Sequence, residues 1–172
     1  MVETEPRKGF RVAAITESEL RDITGVRATI ESLCLENAIR HGDLKWETGI
    51  VSTLFELSRL QLQDANDPAR VSEAWAETHQ RFHKALVAAC DSPWLLKLRE
   101  TLFMQSERYR RISVPLDRVG RDIQGEHKRI ADAAIDRNVE LACSELRDHL
   151  EKTTRILIKA DVVNQQRVGA PA

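Results

Sequence analysis

The sequence predicts an all-α fold, an antiparallel bundle of six or seven helices with short connections. Three observations predict it. Only 7 of 172 residues are glycine and 5 are proline, and Leu, Ala, Glu and Arg dominate, all of them good helix formers. Helix-start signals recur along the chain. Between them, apolar residues return at intervals of three and four, while no internal repeat and no sustained heptad runs through the whole.

Each element follows from a local signal. Residues 1–15 differ from the rest: "EPRKGFRVAAI" is basic and extended in character, and reads as a short strand or arm leading into the first helix. Thr16 followed by Glu19 is a capping box. It opens helix one, which runs to about Ile39–His41 with Gly42 as its C-cap and Leu20, Ile23, Ile30, Cys34 and Ala38 as its stripe. Helix two covers about 44–62, anchored by Trp46, Ile50, Leu54, Leu57 and Leu60. In "DANDPAR", Asp67 reads as an N-cap and Pro68 as the first helical residue, so helix three runs from there to about Cys90. "DSPW" repeats the device, with Ser92 capping and Pro93 opening helix four, to about Arg110. Pro115 interrupts the path in "RISVPLDRVG". A helix of about 120–136 follows, and Asn138 caps the last one, which reaches about 159. The tail "NQQRVGAPA" is polar and frays. The chain thus divides into 1–15, 16–160 and 161–172.

Composition narrows the function classes. A chain 42% hydrophobic and 31% charged folds instead of staying disordered. A formal net charge of −1 offers nucleic acid no general basic attraction. No apolar run is long enough to span a bilayer, and the N-terminus lacks the apolar core of a signal peptide, so no membrane partner and a cytoplasmic location are expected. Cys34, Cys90 and Cys143 are odd in number and scattered, and read as small buried hydrophobes.

The histidines carry the functional signal. His79 and His83 stand one helical turn apart, on or beside the stripe Val71, Trp75, Phe82, Leu86, Cys90. His127 shares a stripe with Ile123, Ile130 and Ala134; His149 shares one with Ala142, Leu146, Thr153 and Ile156. Four of five histidines therefore face inward from three helices, and His41, at a helix C-terminus, is the exception. Two readings stand. Each ring is a core residue with its own hydrogen-bond partners, or the four share a divalent cation that takes one lone pair from each. The pair lacks the glutamate of an HExxH zincin, and Glu77 and Glu126 face elsewhere as surface or supporting residues, so no catalytic residue is assigned.

Two further features sit beside the histidines. Arg27 interrupts the stripe of helix one between Ile23 and Ile30. It snorkels to the edge, pairs with Glu31 or another carboxylate, or clamps a carboxylate ligand. The stretch "MQSERYRR" holds Gln105, Ser106, Arg108 and Tyr109 near the end of helix four, either as a solvated face or at the mouth of the same cavity.

Taken together, "ITESELRDITGVRATIESLCLENAI", "RFHKALVAACDSPWL", "EHKRIADAAIDRNVELA" and "LRDHL" resemble the effector-binding FCD domain of GntR-type transcriptional regulators of the FadR subfamily, over about residues 13–160. The resemblance implies a dimerising helical bundle that holds a metal with one aspartate and three histidines. His83, His127 and His149 match the three histidines, and His79 stands at the aspartate position. A histidine there favours zinc or nickel and an anionic effector. The resemblance further implies a small carboxylate effector held by Arg27, with Gln105 and Arg108 at the cavity mouth. "HQRFH", "SPWLL" and "SERYRR" look most like the carbon-starvation, glutarate-responsive type, which implies a five-carbon dicarboxylate. "EPRKGFRV" resembles the final wing strand of a winged helix-turn-helix, so operator DNA is expected to be met only through a missing N-terminal domain. The leading expectation is a sensor; a metal-dependent enzyme acting on a small organic acid and a metal-free helical interaction domain are the alternatives.

Overall fold

The structure is a computed structural model that describes residues 2–5, 9–12, 16–68, 70–113, 116 and 120–160, without the side chains of 2–5 and 9–12, Arg108 and Ile112. Strands β1 (Val2–Glu5) and β2 (Gly9–Val12) form an antiparallel hairpin with Val2 opposite Val12 and Glu5 opposite Gly9. The expected strand or arm is therefore a pair of strands. Six helices follow: α1 (Glu17–His41), α2 (Leu44–Ser58), α3 (Glu73–Leu86), α4 (Pro93–Ser113), α5 (Ile123–Ile135) and α6 (Val139–Lys159). The predicted polar tail, 161–172, lies outside the described residues.

The caps explain the helix starts. Thr16 and Glu19 form the expected capping box, Glu19 N–H donating to the Thr16 hydroxyl and Thr16 N–H to the Glu19 carboxylate. Asp43, Asp122 and Asn138 each accept from the backbone three residues on. Gly42 ends α1 as predicted, but in an extended conformation, with its N–H on the Ala38 carbonyl. Glycine is needed there for closeness instead of handedness: a Cβ would fall 2.2 Å from the Trp46 ring. Positive φ occurs instead at Arg137 (φ 59°), in the turn between α5 and α6, and at Gly120 (φ 74°).

Three boundaries differ from expectation. α2 stops at Ser58, not 62, because Arg59 N–H turns back to the Glu56 and Leu57 carbonyls. α3 opens at Glu73 under a Ser72 cap, not at Pro68. Asp67 begins only a single turn, closed by Arg70 N–H at 2.9 Å, and Val71 is then taken by a bridge to Gln63 while Ser72 N–H bonds Leu62. α3 also ends at Leu86 instead of Cys90, since residues 87–90 tighten into i→i−3 turns. α4 runs three residues past Arg110, and Pro115 lies outside the described residues.

In the bundle α1 packs on α4 and α6, α2 on α3 and α5, and α5 on α6. The main core joins Cys34, Leu35, Ile50, Phe82, Leu86, Ile130 and Leu146; a second cluster of Leu20 and Leu157, with Tyr109 and Leu116 against it, closes the other end. The three histidine-bearing helices meet between these clusters.

Candidate metal and ligand centre

α3 presents His79 and His83 from successive turns, α5 presents His127 three residues before Ile130, and α6 presents His149 three residues after Leu146. All four are buried, between 1% and 6% exposed. One ring nitrogen from each lies within 4.8 Å of those of all the others. His79 Nε2 and His83 Nε2 approach to 3.1 Å. Trp75, one turn before His79, stacks on its ring with centroids 4.6 Å apart and planes 17° apart, which fixes its orientation.

Burial holds these rings neutral. Loss of water pushes the pKa of His79, His83 and His127 well below 6.5, and the neighbouring rings and arginines push the same way. His149 is pushed down to about 4, burial outweighing the opposing hydrogen bond to Glu126. A neutral imidazole has one donor and one acceptor to satisfy. Only His149 does so clearly: its Nδ1 lies 2.8 Å from Glu126 Oε2. Arg121 Nη2 is 3.1 Å from the same nitrogen but also donates to Glu126 Oε2 and to the His149 carbonyl at 2.7 Å. Two donors do not bond each other, so we assign the proton to Nδ1 and the lone pair to Nε2. His79 Nδ1, His83 Nδ1 and His127 Nε2 are buried without any hydrogen-bond partner.

The four converging ring nitrogens, one from each histidine, fit a divalent transition metal. Zinc–imidazole bonds of about 2.0–2.1 Å place two nitrogens on one ion roughly 3.4 Å apart. The 3.1 Å contact between His79 and His83 has that scale. Four neutral nitrogens suit zinc or nickel better than the hard, oxygen-seeking cations. The Glu126 carboxylate on the far nitrogen of His149 is the kind of support that metal-bound histidines use.

Of the two expected places for Glu126, surface or support, the structure has the second: it is 3% exposed and receives Arg121, His149 and Lys152, the last at 3.0 Å. Burial alone would raise its pKa, but the bonds from His149 and Arg121 win and hold it well below the usual carboxylate range. Glu77, by contrast, is exposed as expected.

Arg27 is buried and paired, not snorkelling. Its Nε and Nη2 both donate to Glu31 Oε1 at 3.2 Å, and Arg99 Nε donates to Glu31 Oε2 at 2.9 Å. Both guanidiniums lie over the Phe103 ring, 5.0 and 5.3 Å from its centroid. Arg99 escaped the sequence reading because "LKLRE" looks like the solvated side of a helix; its burial depends on where α4 crosses α1.

Two narrow cavities flank the cluster, each with about 30 Å³ open to the centre of a water molecule. They share four walls: His79, Arg110, His149 and Thr153. One continues past Trp75 and Arg121, the other past Thr24, Arg27, Ser106 and Tyr109. The stretch "MQSERYRR" therefore does reach a cavity, through Ser106, Tyr109 and Arg110. Gln105 is exposed and lines neither cavity, and the Arg108 side chain lies outside the described residues. Arg110 stands one turn after Ser106, and that i,i+4 relation was the available sequence signal.

Residues 22–152 match the family described as the FCD domain. The chain is 31% identical over 157 residues to the HTH-type transcriptional regulator BphR of Paraburkholderia xenovorans, covering 91% of this chain and 64% of BphR. It is 35% identical over 148 residues to the HTH-type transcriptional repressor GlaR of Escherichia coli, covering 84% of this chain and 66% of GlaR. The chain thus spans just under two thirds of the length of these curated relatives. Among solved structures, it resembles a GntR-family transcriptional regulator from Pseudomonas syringae pv. tomato, with a TM-score of 0.72, 21% identity, and coverage of 98% of this chain and 66% of that one. It also resembles the FCD domain of TM0439 in its zinc-bound form, with a TM-score of 0.63, 21% identity, and coverage of 86% and 96%. The metal-free form of that domain matches equally well, so this likeness is one of fold.

Proposed function

The chain belongs to the FCD-domain family, and from that premise we propose that it is the ligand-sensing, metal-containing regulatory domain of a GntR-type DNA-binding transcriptional regulator. The observation that carries the reading is the buried cluster in which one ring nitrogen from each of four histidines lies within 4.8 Å of the others. A bound divalent cation takes one lone pair from each ring. His79, His83, His127 and His149 hold the metal, zinc or nickel. When bound, the metal supplies positions that accept a carboxylate oxygen. The FCD domain of TM0439 has a zinc-bound form, which supports the assignment.

The effector is a small carboxylate, with the five-carbon dicarboxylate glutarate as the first candidate. Arg27 reaches the cavity wall and offers a guanidinium to it. It is carried by α1, which follows the hairpin in sequence. We assign that hairpin to the wing of a winged helix-turn-helix, in keeping with the HTH-type description of the two curated relatives. A ligand that binds one arrangement of α1 better than another would be reported to operator DNA through that connection, in a homodimer.

Elemental analysis coupled to native mass spectrometry of protein purified without chelator tests the reading. The expected result is a stoichiometric transition metal in a dimer, with metal content reduced in His83→Ala and His127→Ala. Unchanged metal content in both variants removes the metal centre.

A further inference from the structure

Among the described residues, Arg110 is the one cationic side chain shared by both cavities beside the histidines. Its guanidinium is divided between two duties. Nε donates to Glu107 Oε2 at 3.1 Å and Nη2 pairs with Glu107 Oε1. Nη1 is buried and has no hydrogen-bond partner. The ring of Trp75, 5.4 Å away, holds the guanidinium in place beneath the same aromatic that stacks on His79. Glu107 is shared in turn with Arg111, which is anchored to Glu73 on α3. The fork is thus pinned on one edge by Glu107, while Nη1 on the other edge is buried without a partner.

Four guanidiniums lie around the histidines: Arg27, Arg99, Arg110 and Arg121. Among the described residues Glu31, Glu100, Glu107 and Glu126 answer them. A buried guanidinium nitrogen without a partner is costly until an acceptor meets it. Arg99 Nη2, the other unpartnered guanidinium nitrogen, lines neither cavity. Arg110 lines both, so an anion entering either cavity meets its side chain.

We infer that Arg110 binds the second carboxylate of a short dicarboxylate and so selects dianions over monocarboxylates. The inference rests on the carboxylate-sensing reading above and adds to it the ligand's charge and the residue that reads it. One carboxylate goes to the histidine centre and the Arg27 side; the other takes the free edge of Arg110. A monocarboxylate leaves that edge unsatisfied. A buried charge-assisted hydrogen bond of this kind corresponds to roughly ten- to a hundredfold in affinity.

The test is calorimetric titration of the zinc-loaded chain with glutarate and with butyrate, which is glutarate without its second carboxylate. Wild type is expected to prefer glutarate by at least about tenfold. Arg110→Met should erase that preference, bringing glutarate down to the butyrate level while butyrate itself changes little. Zinc content is measured in every variant. Arg110→Lys retains the charge without the planar fork, and should keep part of the preference; it also serves where Arg110→Met fails to fold. Equal binding of the two acids by wild type overturns the selection while leaving a carboxylate sensor intact. Equal weakening of both acids in Arg110→Met also overturns it, placing Arg110 on the shared carboxylate or on the fold. Binding of neither acid overturns the inference together with the carboxylate reading.

Discussion

Two buried polar regions lie a few residues apart in this bundle, and they keep opposite accounts. Around Glu31, two arginines converge on one carboxylate, and the carboxylate accepts from three guanidinium nitrogens. Among the four histidines, one nitrogen of each lies within 4.8 Å of the others, and three ring nitrogens are left without a hydrogen-bond partner. Both regions are nearly inaccessible to water. In the first, both oxygens of the Glu31 carboxylate meet a guanidinium, with Arg99 Nη2 left over. In the second, three of the four rings keep a nitrogen without a partner among the described residues. Depth of burial is common to both; what differs is how far the chain's own groups satisfy the polar atoms.

Acid separates the two regions most sharply. The histidine pKa values are depressed in the fold, relative to about 6.5 in the unfolded chain. The unfolded state therefore binds more protons below pH 6.5, and stability is fully present above that pH and is lost as pH falls toward 4, the value to which His149 is pushed. Each ring contributes up to about 1.4 kcal/mol per pH unit in that window. For metal-free protein, denaturant midpoints should fall steeply between pH 6.5 and 5, before the paired carboxylates begin to protonate. A flat profile over that range would mean the rings are not buried neutral.

Breaking the Glu31 network should be nearly as costly, and indifferent to metal. Glu31→Ala leaves two buried guanidiniums without their carboxylate, a loss of about 3–5 kcal/mol. For a chain of this size that lowers Tm by roughly 6–20 °C. The drop should be the same in the presence of zinc and in the presence of chelator. A strong dependence on zinc would tie Glu31 to the histidine centre and erase the contrast.

Metal removal is the reciprocal experiment and has an effect of the same order. A ligand at a thousand times its Kd stabilises by about 4 kcal/mol. Stripping the wild-type chain with chelator should therefore lower Tm by about 8–16 °C, and the same treatment of His127→Ala should do little. Scanning calorimetry measures both.

Much of this contrast was legible in the sequence, and the part that was not has a physical reason. Helical period alone placed His79, His83, His127 and His149 on inward faces, because each shares a stripe with residues such as Phe82, Ile130 and Leu146. The caps at Thr16 and Asn138 are local chemistry and were equally readable. The false start at Asp67 was local too, but a bridge from Val71 to Gln63, eight residues back, overrode it. Arg99, Arg110, Arg121 and Glu126 were missed or left open for a different cause. Their roles depend on which helix crosses over them, and a charged residue at the edge of a stripe looks identical whether solvent or another helix covers it. Glu126 shows this well: it follows Gly125 and precedes an inward histidine, yet its partner is on α6.

That partner makes the subtlest test of the comparison. Glu126 resembles Glu31 in its bonding, a buried carboxylate with an arginine on it, but it also fixes the tautomer of one histidine. It therefore belongs to both regions at once: a satisfied ion pair on one side and an orienting group for the unsatisfied cluster on the other. Glu126→Gln keeps an oxygen for His149 Nδ1–H and removes the charge that Arg121 and Lys152 share. Loss of such an orienting carboxylate typically weakens metal binding by about 10–100-fold. Competition with a chromogenic chelator should show that loss for Glu126→Gln and none for Glu31→Gln, although both remove one buried negative charge. If the two variants lose zinc affinity equally, the effect is one of overall field, and the hydrogen bond to His149 has no special part in it.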